Sequence, residues 1–267
     1  MHHCEVECVI DTDMVFRGVL STNRLRQVVG MKCIASVSFG KDSLAMLLKL
    51  IEEGWQLDEV VFYDTGMEFN AIYETRDMVL PMLNTYGIKY TTLTPEYDFE
   101  WKMFEKPVNG RKNGFHYGYS WCGGRCRWGT TDKLRALEKH CNGCIEYVGI
   151  AADETNRLVK ERKGNKVFPL DIWNMTENDC LKYCYERGFE WLENSIPLYS
   201  ILDRVSCWCC ANKNLKELKN IYNFLPEYWD RLKQLQRKTE RPMKGKGKSV
   251  FELEERFKKE SEEKQWN

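Results

Sequence analysis

Apolar positions change period several times along the chain. Residues 31–38 form a short run of mostly apolar and small residues that predicts a buried strand. Leu44, Leu47, Leu48 and Ile51 recur at helical spacing, so residues 41–53 predict a helix that stops at Gly54. Residues 59–64 (EVVFYD) predict a second strand. Residues 70–86 predict a helix in which Pro81 marks a boundary or kink. Lys89 to Leu93 predicts a third strand, 131–140 a helix, and 146–150 (EYVGI) another strand. Between them, residues 95–125 are loop-rich, with many aromatics and glycines. Thr176-Glu-Asn-Asp179 has the hydroxyl-then-acid spacing of a capping box and opens a helix over 176–187. Residues 213–236 predict helix in two pieces around Pro226. Strand and helix alternate through the first two-thirds of the chain. That alternation predicts an α/β fold, a parallel sheet with helices on both faces.

Composition narrows the function classes. The chain has 267 residues, 43% hydrophobic and 13% aromatic, enough for a sizeable core and too many for a wholly disordered chain. Lys+Arg and Asp+Glu are both 40, so any nucleic-acid surface must be local rather than a property of the whole protein. No run is long and apolar enough to predict a membrane span. The first residues carry acids and no long apolar stretch, unlike a secretory or transit signal, and the expected location is cytoplasmic. Residues 1–30 read equally as a real extension or as upstream readthrough from a misassigned start. The expected organisation is an N-terminal extension over 1–30, an α/β domain over 31–215, and a helical, charged C-terminal extension over 216–267.

Chemistry concentrates first at Ser38-Phe39-Gly40-Lys41-Asp42-Ser43, between the first strand and the first helix. An open α/β sheet binds ligands outside the carboxyl ends of its strands. Gly40 lets backbone approach an anion, the free N–H groups of the helix start suit phosphate, Ser38 and Ser43 add hydroxyls, and Lys41 adds charge. Asp42 is out of place against an anion alone and suits magnesium carried with the phosphates.

This segment resembles the PP-loop of the adenine nucleotide alpha-hydrolase superfamily, which includes ATP pyrophosphatases and the phosphoadenylyl sulfate (PAPS) reductase family. Tyr63-Asp64-Thr65-Gly66 resembles the family's DTG segment, where adenosine is held. Gly149-Ile-Ala-Ala-Asp153-Glu154 resembles its G-I-R-A-D-E segment, with Ala151 in place of the usual Arg. Phe168-Pro-Leu-Asp-Ile-Trp173, and Leu198-Tyr199 followed by Ser206-Cys-Trp-Cys-Cys210, resemble two later segments. The resemblance covers residues 31–215 in order. It implies a Rossmann-like sheet, an adenine nucleotide held by residues 38–43 with Asp64, Thr65, Gly149 and Asp153, and a catalytic role for Lys41 and Asp42 with Mg-ATP.

Twelve cysteines are the compositional outlier. Without a secretory signal, clustered cysteines point to metal or redox chemistry rather than a disulfide scaffold. Cys122/Cys126 and Cys207/Cys210 form two well-separated pairs that could supply four thiolates to a [4Fe-4S] cluster or to zinc. The same layout, one pair before a helix and a late C-x-x-C, resembles that of the family's iron–sulfur members. Gly129 stands where those members often have Cys, and Cys126 would replace it. The alternative is reduced thiols packed in a loop-rich lid. Cys33, Cys180 and Cys184 read as core residues, and Cys141-Asn-Gly-Cys144 as a turn.

Two reactions fit this resemblance. One is ATP-dependent adenylation of an acceptor with release of pyrophosphate, followed by sulfur transfer. The other is reduction of adenylyl or phosphoadenylyl sulfate. The Gly-Lys-Asp-Ser run favours the first. After Cys210 the sequence has neither Cys nor His, which leaves the reductase reaction without its usual nucleophile. A non-catalytic nucleotide-binding module is a third reading. Lys133 and Arg157 are further candidates to face phosphates or acceptor. Residues 231–248 carry eight basic residues against Glu240 alone. This segment reads either as a flexible basic patch that tracks RNA or DNA, with Tyr228 or Trp229 to stack on bases, or as a solvated tail. The sulfur donor is not indicated.

Overall fold

The computed structural model describes residues 30–110, 114–122, 124, 126–161 and 164–265. The reading of the first residues as an extension or as readthrough falls on residues 1–29, which lie outside the described residues. In chain order the first elements are β1 (Cys33–Ser36), α1 (Lys41–Glu52), β2 (Glu59–Tyr63), α2 (Asn70–Thr85) and β3 (Lys89–Leu93). A hairpin of β4 (Pro107–Gly110) and β5 (Gly114–Tyr117) follows, then α3 (Lys133–His140) and β6 (Ile145–Val148). Next come α4 (Thr155–Glu161), β7 (Lys166–Val167), α5 (Pro169–Ile172), α6 (Glu177–Tyr185), and a second hairpin, β8 (Leu192–Glu193) with β9 (Ile196–Pro197). The chain continues through α7 (Leu198–Ile201), α8 (Leu215–Phe224), α9 (Pro226–Arg237) and α10 (Val250–Gln265).

These elements form two compact units that interleave along the chain. The first holds the described residues up to Tyr63, with Ile72–Leu93 and Ala136–Glu190; the second holds Asp64–Ala71, Thr94–Arg135 and the residues from Trp191 onward.

The first unit is an α/β fold on a five-stranded parallel sheet of order β3-β2-β1-β6-β7. β1 and β2 are buried almost throughout because both faces are covered, which is why they read as near-continuous apolar runs. On one face Ile34 and Val61 pack with Leu137 and Cys141. Chain order moves outward from β1 to β2 and β3, then returns to the other side of β1 with β6. The sheet therefore has its topological switch point between β1 and β6, the place where open α/β sheets bind ligands at the carboxyl ends of their strands.

The second unit is built from loops, the two hairpins and the C-terminal helices. α8 ends before Pro226, which begins α9 at a position where its missing N–H costs nothing. Trp121 donates from Nε1 to Gln236, whose amide also donates to the carbonyls of Thr239 and Arg241. Gln236 thus folds the 239–248 segment onto α9, and Met243 is buried beneath it. Lys244 Nζ donates to the carbonyls of Ala211 and Lys213. The segment read from composition as flexible is a tied-down turn.

Two further expectations change. Pro81 neither ends nor divides α2, which runs unbroken through it. Thr85, one turn on, donates its hydroxyl to the Pro81 carbonyl. The strand expected at 146–150 lies at Ile145–Val148 instead, and Gly149 and Ile150 leave the sheet.

Candidate functional site

The loop after β1 is shaped by its own hydroxyls. Ser43 Oγ donates to the Gly40 carbonyl, accepts from the Ser38 N–H at 3.1 Å, and lies 3.1 Å from Ser38 Oγ. Phe39 takes a left-handed backbone, φ 57°, yet is fully buried against Phe62 and Tyr90. Its ring anchors the loop while the strained backbone makes the corner. Gly40 precedes α1 as its cap residue and supplies no side chain there. Gly149, just past β6, presses on the start of α1: a Cβ at 149 would fall 2.8 Å from Ser43 Cα and 3.0 Å from Ser43 N. Only glycine permits this approach across the switch point.

Lys41 is buried and its ammonium sits between two carboxylates, Asp42 Oδ1 at 2.8 Å and Glu177 Oε2 at 2.7 Å. Burial opposes its charge, but these partners outweigh burial and hold its pKa above the ordinary lysine value. Asp42 is shifted up, chiefly by burial and further by the charges of Glu177 and Glu154, against the pull of Lys41. Glu177 is the first residue of α6, which Thr176 and Asp179 fasten with a complete capping box. The Glu177 N–H donates to Asp153 Oδ1 at 3.1 Å. Asp153 therefore braces the start of α6, and Arg157 is taken up by Glu154. The outcome is one cation among carboxylates at a helix N-terminus. Both signs of charge thus meet at one buried corner: Asp42 and Glu177 flank the Lys41 ammonium, and Glu154 and Glu177 act on the Asp42 carboxyl.

Asp64 and Thr65 belong to the second unit. Asp64 Oδ1 accepts from the Gly66 N–H, closing a tight turn in which Gly66 has φ 72°. Thr65 is buried; its hydroxyl donates to Glu68 Oε1 and lies 3.5 Å from Cys207 Sγ. Cys207 in turn donates toward Glu68 Oε1 at 3.6 Å. Burial pushes the Glu68 carboxyl up, against the charge of Lys133 and the hydroxyl of Thr65.

The thiols of the second unit converge. Cys126 accepts at its sulfur from the Gly129 N–H, and a Cβ at Gly129 would lie 3.7 Å from Cys126 Sγ and 3.8 Å from Cys207 Sγ. Burial raises the thiol pKa of Cys122 and Cys126, and raises Cys207 and Cys209 well above the ordinary value. Cys126 also feels the charges of Cys122 and Cys210, and Cys209 those of Cys210 and Cys126. Cys209, which the pairing by spacing leaves out, is buried next to Cys210 in the same turn. Lys213 lies buried beside them; burial lowers its pKa, while Cys210, Glu217, Cys207 and Cys209 pull it back up. Soft sulfur donors in this number suit a soft metal. As they stand, no three His, Cys, Asp or Glu groups among the described residues are close enough together to hold an ion. None of the described cysteines forms a disulfide. Cys141 and Cys144 close the expected turn, with Cys141 in the core and its thiol pushed up to about 12 by burial.

The C-terminal basic run is mostly engaged. Arg231 stacks on Trp208 at 4.1 Å, Lys233 pairs with Glu254, and Lys238 pairs with Glu100. Tyr228 and Trp229 are each 2% exposed: Tyr228 packs on Phe69 and accepts from the Asn70 N–H, and Trp229 packs on Tyr222 and Phe257. Neither can stack on a base, because both belong to the buried face of α9.

Residues 32–213 match the phosphoadenosine phosphosulfate reductase domain family. The chain belongs to this family. The match takes in the 38–43 loop, Gly149 and all five converging thiols, and leaves α8 to α10 outside it. A relative from Methanocaldococcus jannaschii, an uncharacterised protein, is 27% identical over 215 residues, which is 74% of this chain and 40% of the relative. The chain thus spans well under half that relative's length. Among solved structures, the chain is similar to the U34-tRNA thiolase NcsA of Methanococcus maripaludis with its [4Fe-4S] cluster. That likeness has 16% identity and a TM-score of 0.43, covering 98% of this chain and 82% of that one. It is too slight to speak to activity. No helix among the described residues is long and apolar enough to cross a membrane.

Proposed function

We propose that this family member binds Mg-ATP at the 38–43 loop, adenylates an acceptor with release of pyrophosphate, and serves sulfur transfer to that acceptor, a nucleic acid. The observation that carries the reading is Lys41, buried at the start of α1 between Asp42 and Glu177. A fold needs no buried lysine at this corner, whereas a polyphosphate and its metal need both signs of charge at once.

The chain's own residues would work as follows. The N–H groups at the start of α1 and the Lys41 ammonium bind the phosphates and stabilise charge gathering on the leaving pyrophosphate. Asp42, with Glu177 or Glu154, holds the magnesium. Gly149 keeps the mouth of the loop clear of side chains. In the second unit, Cys122, Cys126, Cys207 and Cys210, with Cys209 in reserve, are the residues that would hold a [4Fe-4S] cluster or zinc. Such a centre supplies a site where sulfur can be bound as an anion or a thiolate neutralised. Glu68 accepts from the Cys207 thiol and would take its proton if that thiol bound a metal.

The test is calorimetric titration with Mg-ATP, and with phosphoadenylyl sulfate in competition, under anaerobic conditions. Preference for Mg-ATP, lost in Lys41→Ala, supports the proposal. Preference for the sulfonucleotide overturns it in favour of reduction.

A further inference from the structure

A different stretch of the chain has the composition that the C-terminal run only resembles. Residues 106–127 contain Lys106, Arg111, Lys112, Arg125 and Arg127 and not one acid, with Phe115, Tyr117 and Tyr119 interleaved. Arg111, Lys112 and Arg125 lie outside the described residues; the others form the β4–β5 hairpin and its base. In β5, Phe115 and Tyr117 share one face by strand alternation and meet edge to face at 5.3 Å. They are 64% and 66% exposed, the two most exposed aromatic rings among the described residues. At the base, Lys106 lies over the rings of Trp101 and Tyr119, Trp101 stacks on the half-exposed Tyr97 at 4.1 Å, and Arg127 lies over Tyr119 at 5.9 Å. Glu105 is the nearest acid in sequence on this side, and Glu100 is occupied by Lys238.

Two rings that leave about two-thirds of their surface exposed contribute little to the core of this chain. Flat rings beside cations, with no acid in the stretch, are the combination that binds unpaired nucleotides: rings stack on bases, which all have a π-face, and cations meet the phosphates. An acidic protein surface would meet the cations alone, whereas a single strand offers phosphates and flat bases together. We propose that the β4–β5 hairpin is a stacking platform for unpaired bases of a nucleic acid, with Phe115 and Tyr117 as the stacking rings and Lys106 and Arg127 as phosphate contacts. This deepens the proposed function, on which it rests for the acceptor's class. Arg127 directly follows Cys126, so the platform's base is joined by one residue to the thiol group. Bases held there would present the acceptor to the cysteine-bearing side of the second unit.

The experiment is fluorescence anisotropy of the full chain with three labelled probes: an RNA stem–loop with an unpaired loop, a DNA stem–loop of the same sequence, and a blunt RNA duplex. It is run without ATP. The expected result is tighter binding of the stem–loops than of the duplex, and a loss of about tenfold or more in Phe115→Ala/Tyr117→Ala. The melting temperature should be unchanged, since both side chains are exposed. Tyr185→Ala, an exposed ring of the first unit, and Lys246→Ala/Lys248→Ala should bind as the parent does. Comparing the RNA and DNA loops identifies the sugar. Equal binding by Phe115→Ala/Tyr117→Ala and the parent overturns the proposal, as does equal affinity for loop and duplex, or a variant that changes only the oligomeric state. Because nucleotide is absent, loop binding retained in Lys41→Ala keeps this inference separate from the fate of the ATP reading.

Discussion

Gly149 lies against the backbone of Ser43, so close that a Cβ would fall 2.8 Å from Ser43 Cα. The strand that returns to the sheet and the helix that opens the candidate nucleotide site are thereby locked together. Gly149→Ala must push one of them aside. The expected cost is about 1–3 kcal/mol of stability, read by thermal or urea unfolding. Mg-ATP affinity should fall in the same variant even at temperatures where it is fully folded.

Lys41→Ala and Glu177→Gln should part company. Lys41→Ala leaves Asp42 and Glu177 without the cation between them and removes the proposed phosphate contact. Titration should show nucleotide affinity reduced by tenfold or more and turnover abolished. Glu177→Gln keeps Lys41 charged and paired with Asp42. It should bind ATP without magnesium about as well as the parent and lose chiefly the gain that magnesium confers. Identical behaviour of the two variants would contradict the division of labour.

Glu59 gives the first unit a predictable acid limit. It is 1% exposed and accepts from Lys32, Thr91 and His140. Burial alone would raise its pKa, but these donors bring it down to about 2. The folded value lies below the unfolded one, so the stabilisation is fully present above the ordinary glutamate value near pH 4.5 and is lost as pH falls toward 2. A shift of this size corresponds to roughly 3 kcal/mol at most. Urea unfolding at pH 7 and pH 3 should show the difference, and Glu59→Gln should flatten that part of the profile.

Cys126→Ser and Cys207→Ser should each lower the iron or zinc retained after anaerobic reconstitution, and Cys141→Ser should not. Lys213→Met removes a buried positive charge that Cys207, Cys209 and Cys210 feel. Thiolates there become harder to form, and cobalt(II) affinity, followed by its thiolate absorption, should fall about tenfold.

Thr176→Ala removes the side chain that accepts from the Asp179 N–H at the start of α6. The expected loss is about 1 kcal/mol. Because Glu177 follows directly, the Lys41 pair should loosen and the apparent magnesium affinity should drop with it.

The sheet and its phosphate-type loop were legible because buried parallel strands are apolar on both faces and the corner between β1 and α1 is local. Lys41's partner was not, since Glu177 arrives from 136 residues away and only the folded sheet brings it in. Cys209 was hidden by C-x-x-C spacing, which chooses a pair and leaves the middle thiol spare. Tyr228 and Trp229 were legible and misread. With Leu232, Leu235 and Gln236 they recur at helical spacing and mark the buried stripe of α9. The acid-free stretch at 106–127 was visible in composition but overshadowed by the denser basic run at 231–248. There, ion pairs engage Lys233 and Lys238, and Lys244 donates to backbone carbonyls.

The interleaving of the two units has a consequence for how the chain becomes itself. The backbone passes between them five times, after Tyr63, Ala71, Leu93, Arg135 and Glu190. No single cut frees either unit whole. During synthesis the sheet waits for β6 and β7 before its centre is covered on both sides, and by then most of the thiol-bearing residues of the other unit have yet to emerge. The cysteines at 122 and 126 therefore leave the ribosome some eighty residues ahead of those at 207–210, and the second unit cannot close until the chain is nearly complete.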